Sequence, residues 1–239
     1  MAVPAQGNLF EDPPKALGAP PPPVPVEPAA PEKQLMLIDA SGFVFRAYHA
    51  LPALTTSKGI VTHAVLGFAR MLLKLLRERN PPYIALCFDK DSRKGRLAID
   101  PQYKANRAAT PADLISQFDL IRKVADVLNL PILEVEGWEA DDVAATVVQQ
   151  ARALSFKTLI VTSDKDFLQL LDGDVALYDP AKDKAITEAD ATAKYGIKPS
   201  QMCDYLALVG DAIDNVAKVP GIGPKTASEL LAQFKSVED

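Results

Sequence analysis

The stretch "PILEVEGWEADDVAATVV" (Pro131–Val148) holds a strand and the start of a helix in one run. "PILEVEG" is a short apolar run of strand type. Glu139, Asp141 and Asp142 then stand in front of small apolar residues at helical spacing. Acids suit a first helical turn, because the macrodipole is positive there. Capping acids are ordinary, so this unit alone is explained as well by capping as by chemistry. The sequence on either side has to decide.

Upstream, "QLMLIDASG" is an apolar run ending in Asp39, and "YIALCFDKD" is another ending in Asp89. Downstream, "KTLIVTSDKDFLQLL" ends its apolar run at Asp164 and Asp166, and "VALYDP" reads as one more strand. Between them, residues 64–79 and 112–130 carry apolar positions at helical spacing. Continuous apolar strands alternating with amphipathic helices predict an α/β fold with a mostly parallel central sheet flanked by helices. Ligands of such sheets bind at the carboxyl ends of the strands, near the point where strand order reverses. Asp39, Asp89 and Asp164 should therefore share one edge with Asp166 and with Glu139, Asp141 and Asp142. So many carboxylates in one cleft raise each other's pKa values. A divalent cation relieves that, and oxygen ligands without His or Cys indicate Mg²⁺ or Mn²⁺. Two such ions ~4 Å apart are a usual device for phosphodiester hydrolysis.

Two further segments bear on this cleft. "RKGRLAIDPQYKANR" carries Arg93, Lys94, Arg96, Lys104 and Arg107 against Asp100 alone, with Tyr103 as a stacking surface. A lone charge run is ordinarily a solvated loop. Beside an acidic metal cleft, cations that steer a phosphate backbone fit better. "DYLALVGDAIDNVAKVPGIGPKTASELLAQF" reads as helix, loop, helix. Gly221, Gly223, Lys225 and Thr226 open its last helix, where backbone N–H groups can meet a phosphate. It lacks the glycine spacing of a Walker A loop. Asp211 and Asp214, three apart, can reach the cleft if the preceding helix docks at the sheet edge.

The bulk numbers agree. A chain of 239 residues that is 48% hydrophobic can bury a core, and a net charge of −5 leaves room for local basic patches. Cys87 and Cys203 lie far apart in apolar settings, which argues against a disulfide framework or a structural zinc. No apolar run is long enough to span a membrane, and the first residues lack signal-peptide features. The expectation is a cytoplasmic monomer. Residues 1–34 are proline-rich and are expected to be a disordered tail, with the α/β region over 35–180 and a helical region over 181–239.

Together these segments resemble the 5′-nuclease (flap endonuclease) family, most closely the N-terminal 5′→3′ exonuclease domain of bacterial DNA polymerase I. The resemblance runs from Leu35 to the end of the chain. It rests on "IDASGFVFRAYHALPALTTSKG", "CFDKD", "RLAIDPQYKANR", "GWEADDVAATV", "VTSDKDFLQLL", "YGIKPSQMCDYLALVGDAIDN" and "VPGIGPKTASELL". It implies two-metal hydrolysis of DNA 5′ ends or flaps, in RNA primer removal and DNA repair. A helical arch near residues 90–110 and a helix–hairpin–helix that grips duplex DNA are implied with it. It assigns Asp39, Asp89, Glu139, Asp141 and Asp142 to one ion, and Asp164, Asp166, Asp211 and Asp214 to the second. It implies that Arg96, Lys104 and Tyr48 serve catalysis. Arg46, Arg93, Tyr103 and Arg107 serve DNA binding with the hairpin, which would also carry K⁺. "QGNLF" (Gln6–Phe10) resembles a sliding-clamp-binding peptide, with Gly7 where leucine is common. The chain departs from the family pattern at Ala40, His63, Gly95 and "DNVAKVPG". The alternatives are a PIN-type ribonuclease, which would lack the hairpin, and a non-catalytic DNA-structure-binding protein, which would have lost ligands. A small-molecule phosphatase has no use for the arch.

Overall fold

Five of the apolar runs become the parallel strands of one mostly parallel sheet. The computed structural model describes residues 33–91 and 93–239. The Gln6–Phe10 peptide and most of the proline-rich stretch fall outside the described residues. Gln34, expected in the tail, opens the first strand. The strands are β1 (Gln34–Asp39), β2 (Tyr83–Cys87), β3 (Ile132–Leu133), β4 (Lys157–Val161), β5 (Val175–Asp179) and β6 (Lys184–Ile186). Their order is β3-β2-β1-β4-β5-β6. The first five are parallel and β6 pairs antiparallel with β5. Strand order therefore reverses between β1 and β4.

The helices are α1 (Ala40–Ala50), α2 (His63–Arg79), α3 (Arg93–Ile99), α4 (Ala112–Ile115), α5 (Phe118–Val127) and α6 (Ala140–Ala153). They continue with α7 (Glu188–Tyr195), α8 (Met202–Val209) and α9 (Pro224–Gln233). Side chains alternate along β1, as the pleat requires. Met36 and Ile38 join Phe43, Phe68, Leu72 and Ile121, the face covered by α1, α2 and α5. Leu37 joins Val143, Ile160, Phe167 and Leu231, the face covered by α6, α8 and α9. Both faces are covered, which is why the strands read as continuous apolar runs.

Several elements differ from expectation. "PILEVEG" gives only two paired residues, because Glu134 turns out to Lys90 (2.8 Å) and Arg122 (2.5 Å). The helix expected over 112–130 breaks into α4 and α5. At the break Ser116 Oγ bonds back to Asp113 O (2.8 Å), and the buried Gln117 side chain leaves to accept the Ala64 and Val65 N–H groups opening α2. That capping uses donors a helix start leaves free. β6 carries the sheet past residue 180. Cys87 is buried as expected, but Cys203 is exposed, and both are free thiols. Among the described residues, no helix is long and apolar enough to cross a membrane.

Candidate active site

Asp39 sits at the switch point, the last residue of β1 and the N-cap of α1. Its carboxylate accepts the Gly42 N–H (2.8 Å) and, across the switch point, the Thr162 hydroxyl (2.8 Å). A Cβ at position 42 would lie 2.4 Å from Asp39 Oδ2, so only glycine lets the acid fold back on its own helix. Asp39 is 8% exposed, and burial, reinforced by the charges of Asp89 and Asp164, pushes its carboxyl up to about 6. Asp89 leaves β2 beside it. Its backbone N–H donates to Ser41 Oγ (3.0 Å), and its carboxylate accepts the Ala140 N–H at the start of α6 (2.7 Å).

The acids of the opening stretch divide their work. Asp142 caps in the ordinary sense, accepting the Glu139 N–H (3.2 Å). Glu139, the N-cap, and Asp141, which accepts the Asp142 N–H (2.7 Å), also line the cleft. Burial, with Glu139 and Asp142 close by, pushes Asp141 up to about 7. Asp39, Asp89, Glu139, Asp141 and Asp164 line one cleft of about 870 Å³, which Phe45, His49, Lys94, Lys104 and Arg107 also line.

The basic segment closes over these acids. It begins as α3 and continues in successive turns. Arg96 Nη2 donates to both oxygens of Asp142 (2.8 and 2.9 Å), and its guanidinium lies 3.6 Å from Glu139 and 3.9 Å from Asp141. Lys104 is 7% exposed and places Nζ 2.9 Å from both oxygens of Glu139. The Tyr103 hydroxyl donates to Glu139 at 2.9 Å, and burial together with the Glu139 charge pushes its phenol far above the usual range. The Tyr103 ring lies 4.8 Å from the Lys104 ammonium and 5.5 Å from the Arg96 guanidinium. Arg107 stands 4.0 Å from Asp214. The backbone of Arg93 opens α3.

A second cluster lies beside the first. One carboxylate oxygen each from Asp166, Asp211 and Asp214 falls within 4.8 Å of the others. Gly210, at φ 77°, makes the turn out of α8 that delivers Asp211; a Cβ there would meet Lys218 N at 2.7 Å. Burial opposes the Asp211 charge, yet the Lys165 ammonium (2.6 Å) and the Ile213 N–H (2.9 Å) hold its carboxyl below the usual range. Asp166 is raised by burial and then by Asp164. Its Oδ1 is buried with no hydrogen-bond partner, the nearest cation being Lys165 Nζ at 3.5 Å. An orphaned carboxylate oxygen, three acids raised toward neutrality and an all-oxygen donor set fit a hard divalent cation.

Other predicted residues lie elsewhere. Tyr48 does not line the cleft; its hydroxyl donates to Asp113 (2.9 Å), and its ring packs on His63 at 4.8 Å. Arg46 is taken by Ser163 Oγ and by Asp179 at 3.5 Å. Gly221 (φ 80°) and Gly223 form the turn into α9, Lys225 and Thr226 lie in its first turn, and none of the four lines the cleft. The Lys225 side chain is 90% exposed. Sequence reasoning missed Gly42, Ser41 and Thr162, which hold the acids, and Lys165, which neutralises Asp211. Ser41 and Gly42 had a signal in standing within three residues of Asp39.

The 5′-3′ exonuclease N-terminal resolvase-like domain family matches residues 34–196, and the 5′-3′ exonuclease C-terminal SAM fold matches residues 197–239. DNA polymerase I of Rhizobium leguminosarum is 47% identical over 212 residues, covering 85% of this chain and 21% of that protein. The 5′-3′ exonuclease of Aquifex aeolicus is 40% identical over 207 residues, covering 87% of this chain and 72% of that one. A bacteriophage T5 flap endonuclease, crystallised with DNA and metal ions, superposes with a TM-score of 0.71 at 24% identity, covering 87% and 77% of the two chains. At that identity the likeness is one of fold. The chain spans about a fifth of the length of the Rhizobium polymerase.

Proposed function

The chain belongs to the 5′-3′ exonuclease family, and from that premise we propose that it hydrolyses phosphodiester bonds at DNA 5′ ends and flaps with Mg²⁺. Its role is then removal of primer RNA and of damaged 5′ ends. One observation carries the reading: acids from four separate chain segments converge on one sheet edge, and a basic loop lies directly on them. A binding module has no need to crowd like charges at such cost.

Asp39, Asp89, Glu139, Asp141 and Asp142 would hold one ion, and Asp164, Asp166, Asp211 and Asp214 the second, with Mn²⁺ able to substitute. Bound there, the cations would lower the pKa of a water and stabilise charge on the phosphoryl oxygens. The chain supplies the rest. Thr162, Gly42 and the α6 N-terminus fix the orientation of Asp39 and Asp89 before substrate arrives. Arg96 and Lys104 supply positive charge to the scissile phosphate, and the fork of Arg96 suits two of its oxygens. Tyr103 offers a ring to the frayed strand. The glycine turn at Gly221 and Gly223 leaves the α9 N-terminus open to a duplex phosphate, with Lys225, Thr226 and a K⁺ ion assisting.

The test is cleavage of a 5′-labelled flap duplex in Mg²⁺ by this chain and by its Asp141→Ala variant. Release of the flap near the junction by the parent alone supports the reading. Tight flap binding without cutting, in Mg²⁺ and in Mn²⁺, favours the structure-binding alternative and overturns it.

A further inference from the structure

The basic loop joins the Asp211–Val216 turn through contacts of two kinds. The ionic ones are Lys104 Nζ to Asp214 (3.6 Å) and Arg107 to Asp214 (4.0 Å), backed by Lys104 on Glu139. The others are neutral. The Asn106 side-chain amide donates to Ala212 O (2.6 Å), and the Asn215 amide donates to Gln102 O (2.8 Å). The Lys104 backbone N–H donates to Asp214 O (3.0 Å). These neutral bonds bracket Lys104 on both sides. Lys104 itself stands at φ 52°, a left-handed backbone that a non-glycine residue keeps only when its surroundings over-determine it.

The two kinds of contact respond differently to the chemistry of the cleft. A divalent cation competes for the carboxylates that the ionic pairs use, a phosphate competes for the ammonium and guanidinium groups, and salt screens both. An amide-to-carbonyl bond carries no net charge and is indifferent to all three. We propose that Asn106 and Asn215 are positioning residues that keep the basic loop over the cleft once its ion pairs are broken. Lys104 then comes off Glu139 without leaving the site and presents its ammonium to a phosphate. This deepens the phosphodiesterase reading above and rests on it.

The experiment is hydrogen exchange at the Lys104 backbone amide, with EDTA and with Mg²⁺, in the parent, Asn106→Ala, Asn215→Gly and the double variant. Glycine is chosen at 215 because Asn215 sits at φ 62°, where alanine would add strain of its own. The parent amide stays protected in both conditions. In Mg²⁺ each single variant exchanges about five- to tenfold faster, the net worth of one neutral hydrogen bond, and the double variant faster still. Amides of β1 and β4 stay unchanged. On a 5′ flap, kcat falls by a similar factor with KM unchanged. Parent-like exchange at Lys104 in the double variant overturns the proposal. So does a parent amide that loses protection when Mg²⁺ is added. If the parent cuts no flap, the nuclease reading fails, and the exchange data still decide whether the loop is latched.

Discussion

Stripped of divalent cations, the protein should become more stable as the pH falls from 7.5 to 5. Asp39 carries the argument. Burial raises its carboxyl from the ordinary 3.8 to about 6. Between those values the folded chain binds a proton that the unfolded chain does not, so stability falls as pH rises through this window and is regained as it drops. At pH 7.5 the group is ionised in both states, and its burial costs about 3 kcal/mol relative to a neutral side chain. At pH 5 about 1.4 kcal/mol of that is recovered, worth about 3–6 °C in Tm for a domain of this size. Asp141 and Asp166 act in the same direction; Asp141 adds less than its shift suggests, because its side chain is 34% exposed. Glu134, Asp179 and Asp211 have lowered values, so the stability they contribute is lost mainly below this window. The assay is thermal melting in EDTA at pH 7.5 and 5, for the parent and Asp39→Asn. The variant should melt higher than the parent at pH 7.5 and show a flatter pH dependence. With saturating Mg²⁺ the parent's pH trend should reverse, since protons and cation then compete for the same oxygens. A parent Tm in EDTA that is flat or falls toward pH 5, and that Asp39→Asn leaves alone, would refute the reasoning.

Three further outcomes follow from single contacts. Gly42→Ala should cut flap cleavage at least tenfold and weaken Mg²⁺ binding by calorimetry, since the new methyl takes the place of the Asp39 carboxylate. Lys165→Met should destabilise the EDTA-treated chain by about 1–3 kcal/mol in urea melts, leaving buried Asp211 without its cation, and Mg²⁺ should restore part of the loss. Gln117→Leu should cost about 1–3 kcal/mol with or without Mg²⁺, because it orphans the Ala64 and Val65 N–H groups, while kcat per folded molecule stays unchanged.

Legibility in the sequence followed the strength of the physical signal. The parallel sheet was readable because buried strands must be apolar throughout, and the acids because strand ends of such a sheet face one cleft. α1 was not readable as a helix. "ASGFVFRAYHA" mixes glycine, a β-branched residue and aromatics, all poor helix formers, and the helix stands on the Asp39 cap and on packing by Phe43, Val44 and Ala47. β6, with three residues, has no periodicity to detect. The break at Ser116 and Gln117 depends on where the Gln117 amide is needed, which is set by α2. Within the site, Lys165 stands between two aspartates and reads as a first-turn residue. Its partner Asp211 is distant in sequence, so no local spacing announces the pair. Asn106 and Asn215 are neutral and leave no trace in a charge pattern. Tyr48 and Arg46 were assigned by resemblance, and their bonds to Asp113 and Ser163 come from tertiary packing.

Capping and chemistry prove not to be rival explanations for the acids at the start of α6. A helix N-terminus needs acceptors and welcomes negative charge, so it is a cheap place to gather carboxylates. Asp89, Asp142 and Asp141 meet that need by accepting the backbone N–H groups of Ala140, Glu139 and Asp142. The surplus is then offset from outside the helix, by Arg96 and Lys104 on one side of the cleft and by Lys165 in the neighbouring cluster. The offset is incomplete: burial, then Glu139 and Asp142, push the Asp141 carboxyl up despite Arg96, and burial with Asp89 and Asp164 does the same at Asp39. A site built only for stability would place hydrophobic or hydrogen-bonded groups there. One that keeps unneutralised carboxylates in a half-buried cleft pays in stability for affinity toward multivalent cations.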